Sequence, residues 1–171
     1  WSRLASIRDG LGDRFGAIAD YSKSIAINPD QFSTWASRAA VRLMNGDPKG
    51  AATDCDRALE LEPTATLAWN NRGIARRDLG QLKLALSDFA RAVKLDPDYV
   101  EAYSNRGTVY QALGNYDAAI DDYSLALRLD DESAGSLNNR GLCWMRKGEF
   151  GRAFDDLRRA VELRPDVTAH W

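Results

Sequence analysis

Histidine is almost missing from this chain: the only one among 171 residues is His170. Cysteine is nearly as scarce, with Cys55 and Cys143 far apart. One histidine and two distant thiols do not make an ordinary zinc site, and no nucleophile–base pair anchored in histidine can be assembled. The sequence therefore calls for no metal and no cofactor. Long apolar runs are also absent, so no segment is suited to span a bilayer. Neither sign of charge dominates: 23 Lys and Arg against 25 Asp and Glu leave a net charge of −2. Without a basic stripe, nucleic acid is a poor candidate partner. No signal-peptide pattern is visible.

What the chain does have is a period. Gly12, Gly46, Gly80, Gly114 and Gly148 fall at one fixed interval, as do Ala17, Ala51, Ala85, Ala119 and Ala153. Pro29, Pro63, Pro97 and Pro165 keep the same step, with Asp131 where a further proline is due. A fixed period of this length means a solenoid whose units rest on their neighbours. In one unit, Trp69, Ala75 and Leu79 mark an amphipathic helix. Leu82, Ala85, Leu86, Phe89, Ala92, Val93 and Leu95 mark a second. Gly80 falls where the first helix must stop, since glycine adopts the left-handed cap cheaply. Pro97 closes the second, because the residue before a proline disfavours helix. Each unit is thus two antiparallel helices joined by a short turn. Gly73, Gly107 and Gly141, with Ala39 at the same place, leave room for close helix contact.

The spacing of Trp69, Gly73, Gly80, Ala85, Phe89, Ala92 and Pro97 resembles the tetratricopeptide repeat (TPR) family over essentially the whole chain. The resemblance implies an all-α, right-handed α-solenoid of antiparallel helix pairs, about five TPR units in a single array. Counting with Thr66 as position 1, the expected repeats are roughly 1–31, 32–65, 66–99, 100–133 and 134–167, with the start of a further helix at 168–171. Trp1 already falls inside a helix pattern and Trp171 opens another, so the sequence reads as part of a longer array. That leaves room for a leader or neighbouring domain outside it. Some units depart from the pattern: Arg14 replaces an aromatic in the first, Pro48 stands at that turn in the second, and Leu137 and Leu157 replace aromatics in the fifth.

Several motifs reduce to structure. The run from Gly46 to Gly50 is glycine-rich but lacks the Gly-Lys-Ser/Thr ending of a phosphate loop and follows a helix, so an interhelix turn is expected. The acidic pairs Asp121–Asp122 and Asp155–Asp156 recur with the repeat, which points away from catalysis; no catalytic residue is assigned. Cys55 and Cys143, three repeats apart, are expected to be unpaired core thiols, in keeping with a reducing, cytoplasmic compartment.

A charged ladder accompanies the repeats. Aspartate recurs at Asp20, Asp54, Asp88, Asp122 and Asp156, and arginine at Arg38, Arg72, Arg106 and Arg140, with Leu4 in the first repeat. An anion-binding arginine row is one reading. The other, which the cost of burying unpaired charge favours, is a structural ion-pair ladder in which each arginine meets the aspartate of the preceding repeat.

The family resemblance also places a concave groove on the first helices. It implies peptide-binding residues at Asn70, Asn71, Ile74, Arg77, Ser104, Asn105, Thr108, Asn138, Asn139, Leu142 and Met145, with Leu67, Ala40 and Met44 nearby. Asn71, Asn105 and Asn139 lie one period apart. A carboxamide both donates and accepts, so such a row can hold a peptide backbone without reading its side chains. This resembles the asparagine ladders of peptide-binding superhelices; bonding of the same amides within the array is the competing reading. The family's carboxylate clamp is not reproduced, since Ser2, Ser6, Ser37, Leu67 and Asn71 stand where Lys, Asn, Asn, Lys and Arg are required. The expected function is a non-catalytic scaffold binding an extended peptide or partner helix. Self-association through the solenoid ends, and service as the recruiting arm of a larger enzyme, are the alternatives.

Overall fold

The structure is a computed structural model that describes residues 1–163. Pro165, His170, Trp171, the end of the fifth expected repeat and the 168–171 segment lie outside the described residues. Within them the fold is all-α, ten helices with no strand. The chain divides into two compact units, Trp1–Leu95 and Asp96–Trp171. The first holds α1 (Ser2–Gly10), α2 (Arg14–Ile27), α3 (Phe32–Met44), α4 (Pro48–Leu61), α5 (Thr66–Asp78) and α6 (Leu82–Leu95). The second holds α7 (Val100–Ala112), α8 (Tyr116–Leu129), α9 (Ala134–Arg146) and α10 (Phe150–Leu163).

The helix ends follow from local chemistry. Gly80 has φ +74°, the left-handed conformation that costs a residue with a Cβ most. This turns the chain so that the Gln81 amide donates back to the Arg76 carbonyl at 2.8 Å. The next helix then starts from a side-chain cap: Asp13, Asp47 and Asn115 accept from the amides of Gly16, Gly50 and Ala118, each meeting an amide that the helix itself leaves unsatisfied. The glycine-rich run at Gly46 is such a turn, with Asp47 as cap and Pro48 in the first turn, where its missing N–H is harmless. At the far end, α4 and α6 stop at Leu61 and Leu95, two residues before Pro63 and Pro97.

Within a hairpin the helices meet through small residues. A Cβ on Gly73 would lie 2.6 Å from the Phe89 ring, and one on Gly107 would lie 2.9 Å from Tyr123. Glycine there lets the ring of the second helix lie against the backbone of the first. Where Ala39 replaces that glycine, the facing residue is the smaller Cys55, in one cluster with Ala51 and Ala75. Between hairpins, α2 packs on α3, α4 on α5 and α8 on α9, while the first helices neighbour each other, α3 with α5 and α7 with α9. Ala85, Phe89 and Ala92 in the first unit, and Ala119, Tyr123 and Ala126 in the second, are fully buried.

Candidate functional site

In the first unit the facing surfaces of α3 and α5 enclose a cavity of about 380 Å³ lined by Ala40, Leu43, Met44, Asn71, Ile74, Arg77 and Asp78. Helical spacing puts Asn71, Ile74 and Asp78 on one stripe of α5, the face on which the family resemblance sets Asn71, Ile74 and Arg77. Arg77 is tied to Asp78 at 2.9 Å, so the charged rim is internally neutralised. Asn71 is 5 % exposed, and its Nδ2 is buried with no hydrogen-bond partner. Such a donor forfeits its water without a replacement. Asn70 is also buried but does not line this cavity. Leu67 is half exposed.

In the second unit, α7 and α9 frame a cavity of about 400 Å³ that brings together Ser104, Asn105, Thr108 and Asn139, with Ser133, Ser136 and Glu101. Its polar groups already serve one another. The Ser104 and Ser136 hydroxyls are 2.8 Å apart, and Ser133 donates to Ser136 at 3.0 Å. The single proton of the Tyr123 hydroxyl is shared between Gln111 Oε1 at 3.0 Å and Thr108 Oγ1 at 3.2 Å, while the Asn139 amide hydrogen-bonds to that same hydroxyl. Asn138 is exposed and donates to Asn139 at 3.4 Å. Leu142 and Met145 are exposed on α9 and stand apart from this cavity. Two of the asparagines that share a register therefore differ: Asn71 has an unmet donor and Asn139 bonds within the array. Tyr123, which the sequence reading passed over, is what occupies Asn139; its signal was a tyrosine at the place where Phe89 and Leu157 stand in neighbouring repeats.

The ladder pairs differently from the expectation. Each arginine meets the aspartate of its own hairpin, sixteen residues on, rather than that of the preceding repeat. Arg38 grips Asp54, Arg72 grips Asp88, Arg106 grips Asp122 and Arg140 grips Asp156, each through Nε and Nη2 at 2.6–3.1 Å. The two-pronged fork of guanidinium and carboxylate fixes this choice. The link to the preceding hairpin exists, but through Nη1: Arg38 donates to Ser22, Arg72 to Asp56 and Arg140 to Ser124. A second arginine was missed. Arg42 and Arg76 also reach Asp54 and Asp88, at 2.9 and 2.7 Å, and Arg8 reaches Asp20 at 3.3 Å. Their common period was the available signal. Asp20, in the repeat that carries Leu4 in place of the ladder arginine, keeps a buried Oδ2 without a hydrogen bond.

Electrostatics fit a structural role. Burial works against the charge on Arg72, but its hydrogen bonds to Asp88 and Asp56 outweigh it and hold the guanidinium above its ordinary value. Burial, aided by the Asp54 charge, pushes the Cys55 thiol up to about 12, and burial takes Cys143 to about 11. Both thiols are free and buried, so neither is a nucleophile at neutral pH. The acidic pairs split: Asp122 and Asp156 are buried in the ladder while Asp121 and Asp155 face solvent. Among the described residues no cluster of His, Cys, Asp or Glu is arranged to hold a metal, and no helix is long and apolar enough to cross a membrane.

Family models described as tetratricopeptide repeat and TPR repeat match residues 100–133 and 73–114. No curated protein matches the sequence. Among solved structures, MamA is 24 % identical, with 96 % of each chain covered and a TM-score of 0.83. YrrB, described as a TPR protein with an unusual peptide-binding site, is 22 % identical, covering 96 % of this chain and 85 % of its own, with a TM-score of 0.74. A thermophilic TPR protein of Thermus thermophilus is 22 % identical over 96 % of this chain and 90 % of its own, with a TM-score of 0.78. At these identities the likeness speaks for the fold. Residues 73–133 thus carry tetratricopeptide repeats, and the same helix–glycine–helix frame recurs in every hairpin of the described residues.

Proposed function

We propose that this chain is a non-catalytic protein-interaction scaffold that holds an extended polypeptide against the first helices of its hairpins. The observation that carries the reading is the Asn71 amide: a donor without a partner, beneath a cavity walled by Ala40, Leu43, Met44 and Ile74. A peptide carbonyl would satisfy Nδ2 while the adjoining side chain covers the apolar wall. One such hydrogen bond contributes about 0.5–1.5 kcal/mol, and burying one aliphatic side chain about 1.5–3 kcal/mol. Micromolar affinity needs about 8 kcal/mol, so one cavity is insufficient and several contacts in series are required. YrrB's described peptide-binding site supports the class of ligand.

The test is a random-peptide selection on the protein, followed by anisotropy titration of the selected peptides against the Asn71→Leu variant. Affinity should fall about tenfold, the loss of one well-placed bond and its cavity, with helicity intact. Unchanged affinity for every selected peptide would sink the reading.

A further inference from the structure

In three hairpins an aromatic ring lies under the ladder arginine. The guanidinium carbon of Arg38 is 5.0 Å from the Trp35 ring centre, that of Arg72 is 4.6 Å from Trp69, and that of Arg106 is 5.6 Å from Tyr103. Both tryptophans also tie down the proline that closes the preceding hairpin: Trp35 Nε1 donates to the Pro29 carbonyl at 2.8 Å, and Trp69 Nε1 to the Pro63 carbonyl at 2.9 Å. The fifth hairpin changes both partners. Leu137 stands at the ring's place and Asp131 at the proline's. Arg140 keeps its bonds to Asp156 and Ser124, but it stacks on no ring among the described residues.

A cavity of about 250 Å³ opens at this point, lined chiefly by Leu127, Arg128, Asp131, Leu137, Arg140 and Arg159. Its floor is apolar, since Leu127 and Leu137 are both buried in one cluster. Its walls carry three guanidinium groups. Arg159 is met by Asp131 at 3.1 Å and Arg140 by Asp156 at 2.7 Å, whereas Arg128 forms no ion pair with a described residue. The space thus combines an apolar base, a guanidinium face that carries no aromatic ring among the described residues, and one positive charge without an ion pair to a described residue.

We propose that this cavity binds an aromatic group bearing a carboxylate. The ring lies in the cavity over Leu127 and Leu137 and stacks on Arg140, because a guanidinium is attracted to the electron-rich face of an aromatic ring. The carboxylate meets Arg128. An inorganic anion would leave the leucine floor uncovered, and an aliphatic acid would leave the guanidinium face bare. The same chemistry is found in the C-terminal aromatic residue of a polypeptide and in a free aryl acid.

Arginine Nε–H resonances of the ¹⁵N-labelled protein provide the test. N-acetyltryptophan should give a saturable ring-current shift at Arg140, N-acetyltryptophanamide should bind about two- to fivefold more weakly for want of the charge, and acetate should give no such shift. Arg128→Ala, on the surface and outside the ladder, should bring the acid and the amide to equal affinity. Leu137→Trp supplies the ring from within the chain. It should abolish binding of both probes and raise the melting temperature by about 2–4 °C. A peptide ending in tryptophan that binds more tightly than indole-3-acetate assigns a polypeptide C-terminus; the reverse order assigns a free aryl acid. The proposal is overturned if Arg140 shows no saturable shift, if acetate competes as well as the aromatic acid, or if the acid and amide remain distinguishable in Arg128→Ala.

Discussion

The two units place different residues around the same buried aspartate. In the first, Asp54 and Asp88 are each held by two arginines, Arg38 with Arg42 and Arg72 with Arg76. In the second, Asp122 and Asp156 each have one, and the place of the other arginine is taken by Tyr110 and Trp144, which pack on the cluster of Ile120, Tyr123 and Cys143. One unit balances a buried carboxylate with extra charge; the other gives it a single fork and fills the remaining space with rings. The contrast continues on the candidate face, where the first unit leaves the Asn71 donor unmet and the second satisfies its polar groups internally. A repeat frame thus fixes where a side chain sits while leaving open what it must offset.

The sharpest way to break this comparison is to remove an aspartate from each unit. Asp54→Ala strands two arginines, one of them buried, and should cost about 3–5 kcal/mol in urea denaturation; Asp122→Ala strands one and should cost less. Equal losses would show that the second arginine adds nothing. Gly73→Ala should cost about 1–3 kcal/mol by thermal melting, since the new methyl meets the Phe89 ring, and Ala119→Leu should overpack the fully buried seam of the second unit on the same scale.

A smaller effect, with opposite signs, separates the two asparagines. Asn71→Leu removes an unpartnered buried donor and should raise stability by about 1 kcal/mol even as it weakens peptide binding. Asn139→Leu takes a partner from the Tyr123 hydroxyl and should lower stability by about the same amount. Stability changes of the same sign at both positions would mean that the two amides have equivalent surroundings.

The remaining effect is confined to alkaline pH. Cys55 shifts from 9.0 to about 12 and Tyr123 from 10.0 to about 12, so the folded chain keeps protons that the unfolded chain has lost. Their contribution is complete below pH 9 and declines as pH rises toward 12. Chemical denaturation should show this fall, and Cys55→Ala should remove the part that begins near pH 9.

The helix frame was legible because its signals are local. Gly80 needs a positive φ and Pro97 bars further helix, whatever lies around them. The Asp54 pairing was less so: Arg72 and Arg38 both recur with the period, and one-dimensional spacing does not say which flanking helix an arginine leans toward. The carboxylate–guanidinium fork decides that in three dimensions, and it chose the same hairpin. The fate of Asn139 was hidden for a similar reason, since it depends on Tyr123 in the helix before it, at a place where neighbouring repeats carry rings or chains without a hydroxyl.

The guanidinium groups of Arg38, Arg72 and Arg140 use their N–H groups in two directions, two toward their own hairpin's carboxylate and a third toward the hairpin before. A lysine, with one nitrogen, would serve either task but not both in this geometry. The same cation that closes a hairpin also fastens it to its neighbour, so losing one hairpin uncovers part of the next hairpin's fastening. Melting within a unit is thereby drawn toward a shared event, and hydrogen exchange should find α3 through α6 opening together rather than peeling away pair by pair.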